Sequence, residues 1–191
     1  WDRSNLNGTE VKKPEMLQFE YAREALKTGL ALERSLGVNP YKFGMLGSTD
    51  AHTSLTAVEE DNFFGKHSGV EPGPHRWEHI VIEAPDPRFT IRGWQQAAAG
   101  YAGVWATENT REAIWDAMKR RETYGSSGPR ISVRFFGGYE FVPKDANTRY
   151  PAIAGYTKGV PMGGDLEQSP AGKVPTFLVA AVKDPLSGNL D

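Results

Sequence analysis

Apolar residues recur at helical spacing from Pro14 to Leu36. They lie on two adjacent faces, so the pattern predicts one long helix that is buried on more than one side. A proline at its start and Gly37 just past its end are typical of helix boundaries. One of the two faces consists of Met16, Phe19, Ala22, Leu26 and Leu30.

Shorter apolar runs follow this helix and predict strands, because each is bounded by turn-forming residues. A second helix is predicted from Asn109, and Glu112 lies at the spacing of a capping box. Residues 123–130 then return as a strand and a turn. The order strand, helix, strand predicts a βαβ unit, in which the two strands are parallel. The strands predicted before this second helix are residues 43–46, 79–83 and 101–106.

The character of the sequence changes near residue 131. Residues 131–141 combine β-branched and aromatic residues with a Gly-Gly pair, and residues 176–185 are a second strand candidate. The segment between them is rich in glycine and proline. We therefore predict the α/β fold class with two domains, an α/β domain at residues 1–128 and a β-rich domain at residues 129–191.

Composition narrows the classes of function. The chain has 191 residues and a net charge of −2, which argues against a nucleic-acid-binding surface or a basic membrane-binding patch. No apolar run approaches the roughly 18 residues that cross a membrane. Cysteine is absent, so a metal site would use histidine and carboxylate ligands, which suit zinc, manganese, iron or magnesium.

Residues 47–53, with the sequence GSTDAHT, follow the strand predicted at 43–46 and contain the first candidate chemistry. Residues i and i+2 of a strand face the same side, so Asp50 and His52 can point at one ion. Carboxylate and neutral imidazole are suitable ligands for a divalent ion. Spacing alone leaves another interpretation open, in which Asp50 caps a turn or a helix start and His52 is an ordinary hydrogen-bonded histidine.

Two further groups of residues have both a functional and a purely structural interpretation. His67 is either an additional metal ligand or hydrogen-bond donor, or a histidine of a surface loop. In the sequence YGSSGPR, Ser126, Ser127 and nearby backbone N–H groups can form an anion-binding nest, with Arg130 supplying positive charge. The same residues also suit a turn that joins the two predicted domains.

Three blocks of sequence carry a resemblance to a known family. They are FGMLGSTDAHT at 43–53, AVEEDNFFGKH at 57–67, and VWATENTREAIWDAMKRRETYGSSGPRISVRF at 104–135. These blocks resemble an uncharacterised bacterial family of large proteins, a distant member of the PHP superfamily (polymerase and histidinol phosphatase). The resemblance covers most of residues 1–136 and continues more loosely to the end.

The resemblance implies a distorted β/α barrel that binds divalent ions at its strand ends and hydrolyses phosphate esters. Asp50 and His52 match the last motif of the superfamily, Asp-x-His. An earlier His-x-His motif has no match here, so the chain is expected to be the C-terminal part of such a barrel, followed by a β-rich, partly sandwich-like segment. Such a fragment would hold two ligands of a larger set, and we do not expect it to be a competent enzyme alone.

Two hypotheses for function follow. In the first, the chain is a fragment of a metal-dependent, phosphoesterase-like hydrolase whose partner is a small-molecule phosphate ester. In the second, a degenerate barrel forms a non-catalytic module that binds a ligand or a protein partner. Because a partial barrel leaves strand edges unpaired, we expect the fragment to form oligomers or to associate with the missing part of the protein. The substrate, the metal and a cytoplasmic or exported location stay open.

Overall fold

The computed structural model describes residues 3–59 and 61–190. The chain forms two compact units. Unit 1 comprises Trp1–Lys42 and Thr49–Ala99, and unit 2 comprises Phe43–Ser48 and Gly100–Asp191. The two domains predicted on either side of residue 128 stay a prediction, because compact units need not coincide with domains that evolve or fold separately.

Unit 1 begins with two helices, α1 at Pro14–Leu17 and α2 at Ala22–Leu36. The prediction of a single helix is therefore wrong. The backbone hydrogen bonds after α1 tighten to a three-residue spacing, and Tyr21 is extended, so the chain leaves the helical path before α2 begins. The predicted end is confirmed, since Gly37 has a left-handed φ of 77° and its N–H bonds the carbonyl of Glu33.

The predicted burial of this helical segment on more than one side is also wrong. Leu26 and Leu32 of α2 are half-buried, whereas Leu30 and Leu36 are exposed. Gly29 is the one buried residue of α2. The amphipathic pattern thus identifies the helix, but each of its two apolar faces keeps an exposed leucine and neither is fully covered.

Two short strands complete unit 1. Strand β1 (Ile80–Ile82) pairs antiparallel with β2 (Ile91–Arg92), which confirms the strand predicted at 79–83. A 3₁₀ turn at Pro87–Phe89 connects the two strands, and a second one at Gly93–Gln96 follows. This hairpin supplies part of the wall of the candidate site.

Unit 2 begins with β3 (Tyr101–Val104), α3 (Arg111–Lys119) and β4 (Thr123–Ser126). The strand predicted at 101–106 is confirmed by β3. However, β3 and β4 are antiparallel, with Tyr101 opposite Ser126. The predicted parallel βαβ unit is therefore wrong.

The turn after α3 explains the antiparallel pairing. Arg121 has a left-handed φ of 65°, a conformation that reverses the chain immediately after the helix. The N–H of Trp105 then bonds the carbonyl of Glu122 at 3.1 Å, directly beyond the end of β3. The returning chain therefore runs back along β3 instead of crossing over to a parallel position.

Two local predictions are also corrected. Thr110 rather than Asn109 caps α3, since its hydroxyl accepts a backbone hydrogen bond from the first helical turn. Residues 43–46 form no strand. They belong to unit 2, where the hydroxyl of Thr123 donates to the carbonyl of Met45 at 3.2 Å.

The remainder of unit 2 is an antiparallel sheet with two helices. Strands β5 (Ser132–Gly138), β6 (Gly159–Pro161) and β7 (Thr176–Val182) lie in the order β6-β5-β7. Helices α4 (Pro143–Ala146) and α5 (Pro151–Lys158) separate β5 from β6. Strands β5 and β7 confirm the strands predicted at 131–141 and 176–185, whereas a β-rich, partly sandwich-like domain stays a prediction.

One face of this sheet forms the core of unit 2. Phe136 of β5 is 1% exposed and lies opposite Leu178 of β7, which is 4% exposed. Gly155 of α5 packs on the ring of Phe136 so closely that a Cβ atom there would lie 2.5 Å from it. On the other face, Phe135 and Phe177 stack at 5.2 Å and remain exposed.

The expectation that the chain forms oligomers, or associates with the missing part of the protein, stays a prediction.

The general α/β class is confirmed in the part of the chain that the structure describes. It contains helices and three small antiparallel sheets, and no closed barrel. Within the same residues, no helix is both long enough and apolar enough to cross a membrane.

A polar cluster around the buried carboxylate of Glu122 connects α5 to the turn after α3. The carboxylate of Glu122, 4% exposed, accepts a hydrogen bond from the Tyr156 hydroxyl and another from Arg120 at 3.2 Å. Arg134 donates to the same hydroxyl at 3.0 Å and lies 3.5 Å from the centre of the Trp105 ring. Burial and the neighbouring Glu122 carboxylate raise the pKa of Tyr156.

The Tyr156 hydroxyl should stabilise unit 2. Tyr156→Phe removes a partner of the buried Glu122 carboxylate, and we expect the free energy of unfolding to fall by about 1–3 kcal/mol. Tyr150→Phe is the matched control, because Tyr150 is 63% exposed, and it should change stability by less than about 0.5 kcal/mol. Urea unfolding measures both variants. Equal stabilities for the two variants would contradict the role of this hydroxyl.

Candidate functional site

Asp50, the first of the two predicted metal ligands, has an unusual backbone conformation. Asp50 has a left-handed φ of 55°, which aspartate tolerates better than most residues. The N–H of His52 donates to the carbonyl of Lys66 at 2.8 Å, and His52 forms a parallel β-bridge with His67. The segment around Asp50 is therefore held against a loop that is distant in sequence.

The carboxylate of Asp50 is shared between two partners. Its Oδ1 atom lies 3.0 Å from His52 Nε2, and its Oδ2 atom lies 2.7 Å from Lys66 Nζ. The side chains of Asp50 and His52 are 67% and 55% exposed, so both can be reached by a ligand. The structure thus brings together the two residues that the Asp-x-His spacing predicts.

Lys66 is not among the predicted site residues, yet it is the most buried of this group at 2% exposure. Its ammonium also donates to the backbone carbonyl of Asp50, and to the carbonyl of Gln96 at 3.0 Å. Three oxygen acceptors match the three donors of an ammonium. The sequence contains only a weak signal for Lys66, namely a charged residue within the block FFGKH. Its partner Asp50 is too far away in sequence for a periodic pattern to indicate the contact.

These contacts set the charge state of Asp50. Hydrogen bonds from Lys66 and, next, from His52 hold the pKa of the Asp50 carboxyl below its ordinary value. Because the pKa is lowered in the folded state, the contacts stabilise the fold at pH values above the ordinary aspartate pKa. This stabilisation is lost as the pH falls through the lowered pKa.

His67 also lies at this site. Its ring meets the ring of His52 edge to face, with centroids 4.9 Å apart and planes at 82°. Across residues 3–59 and 61–190, however, no three His, Asp or Glu side chains are grouped so that they could hold a metal ion. In this arrangement His67 is a neighbour of the Asp50–His52 pair.

The Asp50 and His52 atoms fit two adjacent positions around a divalent ion. Ligand atoms about 2.0–2.2 Å from zinc lie roughly 3.4 Å apart at the tetrahedral angle and roughly 3 Å apart at a right angle. Asp50 Oδ1 and His52 Nε2 lie 3.0 Å apart in a hydrogen bond, so an ion bound between them would have to replace the shared proton. Lys66 contacts the other carboxylate oxygen, Oδ2, and holds Asp50 in place. Two donors fit an ion only in part, since a catalytic zinc site uses three protein ligands.

A cavity of about 370 Å³ adjoins these residues in unit 1. Asp50, His52, Lys66 and His67 form one part of its lining, and the other parts come from residues 3–6 and the β1–β2 hairpin. Its volume is near the lower end of the roughly 300–1,000 Å³ of small-molecule sites. The Asp50–His52 pair therefore adjoins a space suited to a small molecule.

The predicted phosphate-binding residues lie in unit 2, in the turn after β4. The hydroxyl of Ser126 donates to the carbonyl of Pro129 and accepts a hydrogen bond from the N–H of Gly128 at 3.2 Å. The N–H of Arg130 donates to the carboxylate of Asp184 at 2.8 Å, and Ser127 is exposed. These contacts are those of a well-bonded turn, and anion binding by Ser126, Ser127 and Arg130 stays a prediction.

The role of Lys66 can be measured through Asp50. In the wild-type chain the Asp50 carboxyl should titrate below the ordinary aspartate pKa of about 3.9. In Lys66→Met it should rise toward that value, because the largest stabilising hydrogen bond to the ionised form is lost. Carboxyl ¹³C shifts followed over pH give both values, with a dispersed amide spectrum as proof of folding.

Lys27→Met is the control for this titration. Lys27 is an exposed lysine of α2 that pairs with Glu24, so its loss should leave the Asp50 titration unchanged. An ordinary pKa for Asp50 in the wild-type chain would contradict the described contact, whatever the variants show.

Comparison with known proteins identifies one family. We found no match among curated proteins or among solved structures. A family described as a protein of unknown function (DUF3604) matches residues 1–191. This confirms membership of an uncharacterised family, whereas a relation to the PHP superfamily stays a proposal. The chain belongs to the DUF3604 family, whose description assigns no activity.

Proposed function

We propose that Asp50 and His52 contribute two ligands to a divalent metal site that hydrolyses a phosphate ester. The observation that carries this proposal is the convergence of Asp50 Oδ1 and His52 Nε2, which lie 3.0 Å apart in a hydrogen bond beside a cavity of small-molecule size. A divalent ion would replace the proton that the two side chains share. Zinc, manganese, iron and magnesium are all compatible with such ligands.

The resemblance to the PHP superfamily supports the reaction class and suggests the architecture. Asp50 and His52 occupy the positions of its last motif, Asp-x-His. In this proposal the chain is the C-terminal part of a distorted β/α barrel, and its β-rich segment follows the barrel. The part of the chain that the structure describes forms no closed barrel, so the remaining strands and metal ligands would come from elsewhere.

Each residue of the site has a distinct task in this mechanism. When bound, a divalent ion acts as a Lewis acid and lowers the pKa of water toward about 7. Asp50 and His52 hold the ion, and Lys66 fixes the carboxylate so that Oδ1 keeps its direction. His67 lies beside the His52 ring and is either a further ligand or a group that orients His52.

A non-catalytic binding module is the second candidate. It is favoured by the incomplete donor set, since the described residues contain no group of three or more metal-binding side chains. In this case the same cavity would bind a small molecule without turnover. Activity of the natural protein separates the two candidates.

Hydrolysis of a phosphomonoester by the natural protein, with added Mn²⁺ or Zn²⁺, tests the enzymatic proposal. We expect Asp50→Ala and His52→Ala each to lower the rate by at least about 100-fold, because even partners of metal ligands cost 10–100-fold when they are lost. His75→Ala is the control, since His75 is 71% exposed and lies outside the cavity lining, and it should keep the wild-type rate. Wild-type rates in both ligand variants would refute the metal site. Metal binding without any turnover would favour the binding module.

A further inference from the structure

Most polar side chains that line the unit 1 cavity are already engaged within the chain. The amide of Asn5 is bonded at both ends, because its oxygen accepts from the N–H of Thr9 and its nitrogen donates to the Thr9 hydroxyl, both at 2.9 Å. The Thr90 oxygen accepts from the N–H of Ala84 at 3.3 Å. Ser4, Thr90 and Gln95 each use one side-chain atom in this way and keep further hydrogen-bonding capacity, so apolar contact distinguishes ligands here more than a lack of polar groups does. The side chains engaged in this way are Ser4, Asn5, Thr90 and Gln95.

The hairpin contributes an apolar surface to the same cavity. Val81 of β1, Phe89 of the connecting turn and Ile91 of β2 line it, and all three are half-buried. Such side chains gain about 25 cal/mol for each Å² of apolar surface that a ligand removes from water. This part of the cavity therefore favours the hydrocarbon part of a ligand over a hydroxylated one.

Cations outnumber acids in the lining. Arg3, Lys66 and Arg88 are cations, whereas Asp50 is the one acid among the described lining residues. Lys66 is buried and paired with Asp50, so the positive charge that a ligand meets comes from Arg3 and Arg88. Arg88 keeps only part of its guanidinium for a ligand, because its Nε and Nη2 atoms bond the carboxylate of Asp86. The remaining positive charge suits an anionic group, since oxyanions pair well with guanidinium and ammonium donors.

We propose that the cavity binds a small phosphate monoester whose alcohol part is apolar, such as an aryl or short alkyl group. Its phosphate lies toward Arg3, Arg88 and the Asp50–His52 pair, and its hydrocarbon part packs on Val81, Phe89 and Ile91. The inference rests on the proposed function, because it names the substrate class of the same site. A volume of about 370 Å³ restricts the ligand to a small molecule.

The first test compares two ligands of equal charge and similar size. Phenyl phosphate and glycerol 3-phosphate are titrated into the chain by calorimetry, with a chelator present so that no metal contributes. We expect phenyl phosphate to bind at least about tenfold more tightly, because its ring covers apolar surface that glycerol cannot use. Equal affinities, tighter binding of glycerol 3-phosphate, or no binding of either ligand would overturn the proposal.

Matched variants then locate the two halves of the ligand. Val81→Thr keeps the shape of the side chain and adds a hydroxyl, so it should reduce the preference for phenyl phosphate several-fold. Val70→Thr, at an exposed position outside the lining, should leave the preference unchanged. Arg88→Gln should weaken both ligands by a similar factor, whereas Arg23→Gln on the exposed side of α2 should weaken neither. A preference that survives Val81→Thr unchanged would contradict the proposed orientation.

Asp50→Asn separates this inference from the proposed function. It removes a negative charge that opposes the phosphate, so metal-free binding of phenyl phosphate should be kept or strengthened, while metal-dependent hydrolysis is lost. Loss of phenyl phosphate binding in the folded variant would overturn the ligand assignment. Unchanged hydrolysis would instead overturn the metal site and leave the ligand assignment standing.

Discussion

The contact between the buried Lys66 ammonium and Asp50 is the constraint on which the candidate site depends. A charge that is 2% exposed is costly unless it is neutralised and fully hydrogen-bonded. Lys66 meets this demand with the carboxylate and carbonyl of Asp50 and the carbonyl of Gln96. Asp50 has a left-handed backbone in this arrangement, in which its Oδ2 atom and its backbone carbonyl both contact the ammonium. The orientation of the Asp50 carboxylate is thus tied to a buried positive charge.

This arrangement also determines which ligands suit the site. One carboxylate oxygen faces an ammonium, and the other faces His52 and the open cavity. A divalent ion at Oδ1 would place a second positive centre close to Lys66, and nearby like charges repel. An anionic ligand bound to that ion would reduce this repulsion without contacting Lys66, which is 2% exposed. The phosphate ester of the proposed function is a ligand of this kind.

Local features of the fold could be predicted from the sequence, and non-local ones could not. The amphipathic pattern identified α2, and the Asp-x-His spacing identified two residues whose ligand atoms meet. The antiparallel pairing of β3 with β4 depends on the left-handed backbone of Arg121, and an arginine in the sequence does not predict that conformation. Lys66 escaped prediction for a related reason, since its importance comes from burial next to a residue far away in sequence.

Each unit contains a carboxylate that pairs with charged or polar side chains, and the two carboxylates differ in their exposure to solvent. Glu122 of unit 2 is 4% exposed, and Tyr156 and Arg120 occupy its oxygens, so no ligand can reach it. Asp50 of unit 1 has a buried cation as its partner but remains 67% exposed itself. A carboxyl whose pKa is perturbed, and which faces a cavity, is a better functional candidate than one sealed in a core. Because the cation is buried and its anionic partner is exposed, Asp50 stays ionised and accessible to solvent, as the proposed metal ligand would have to be.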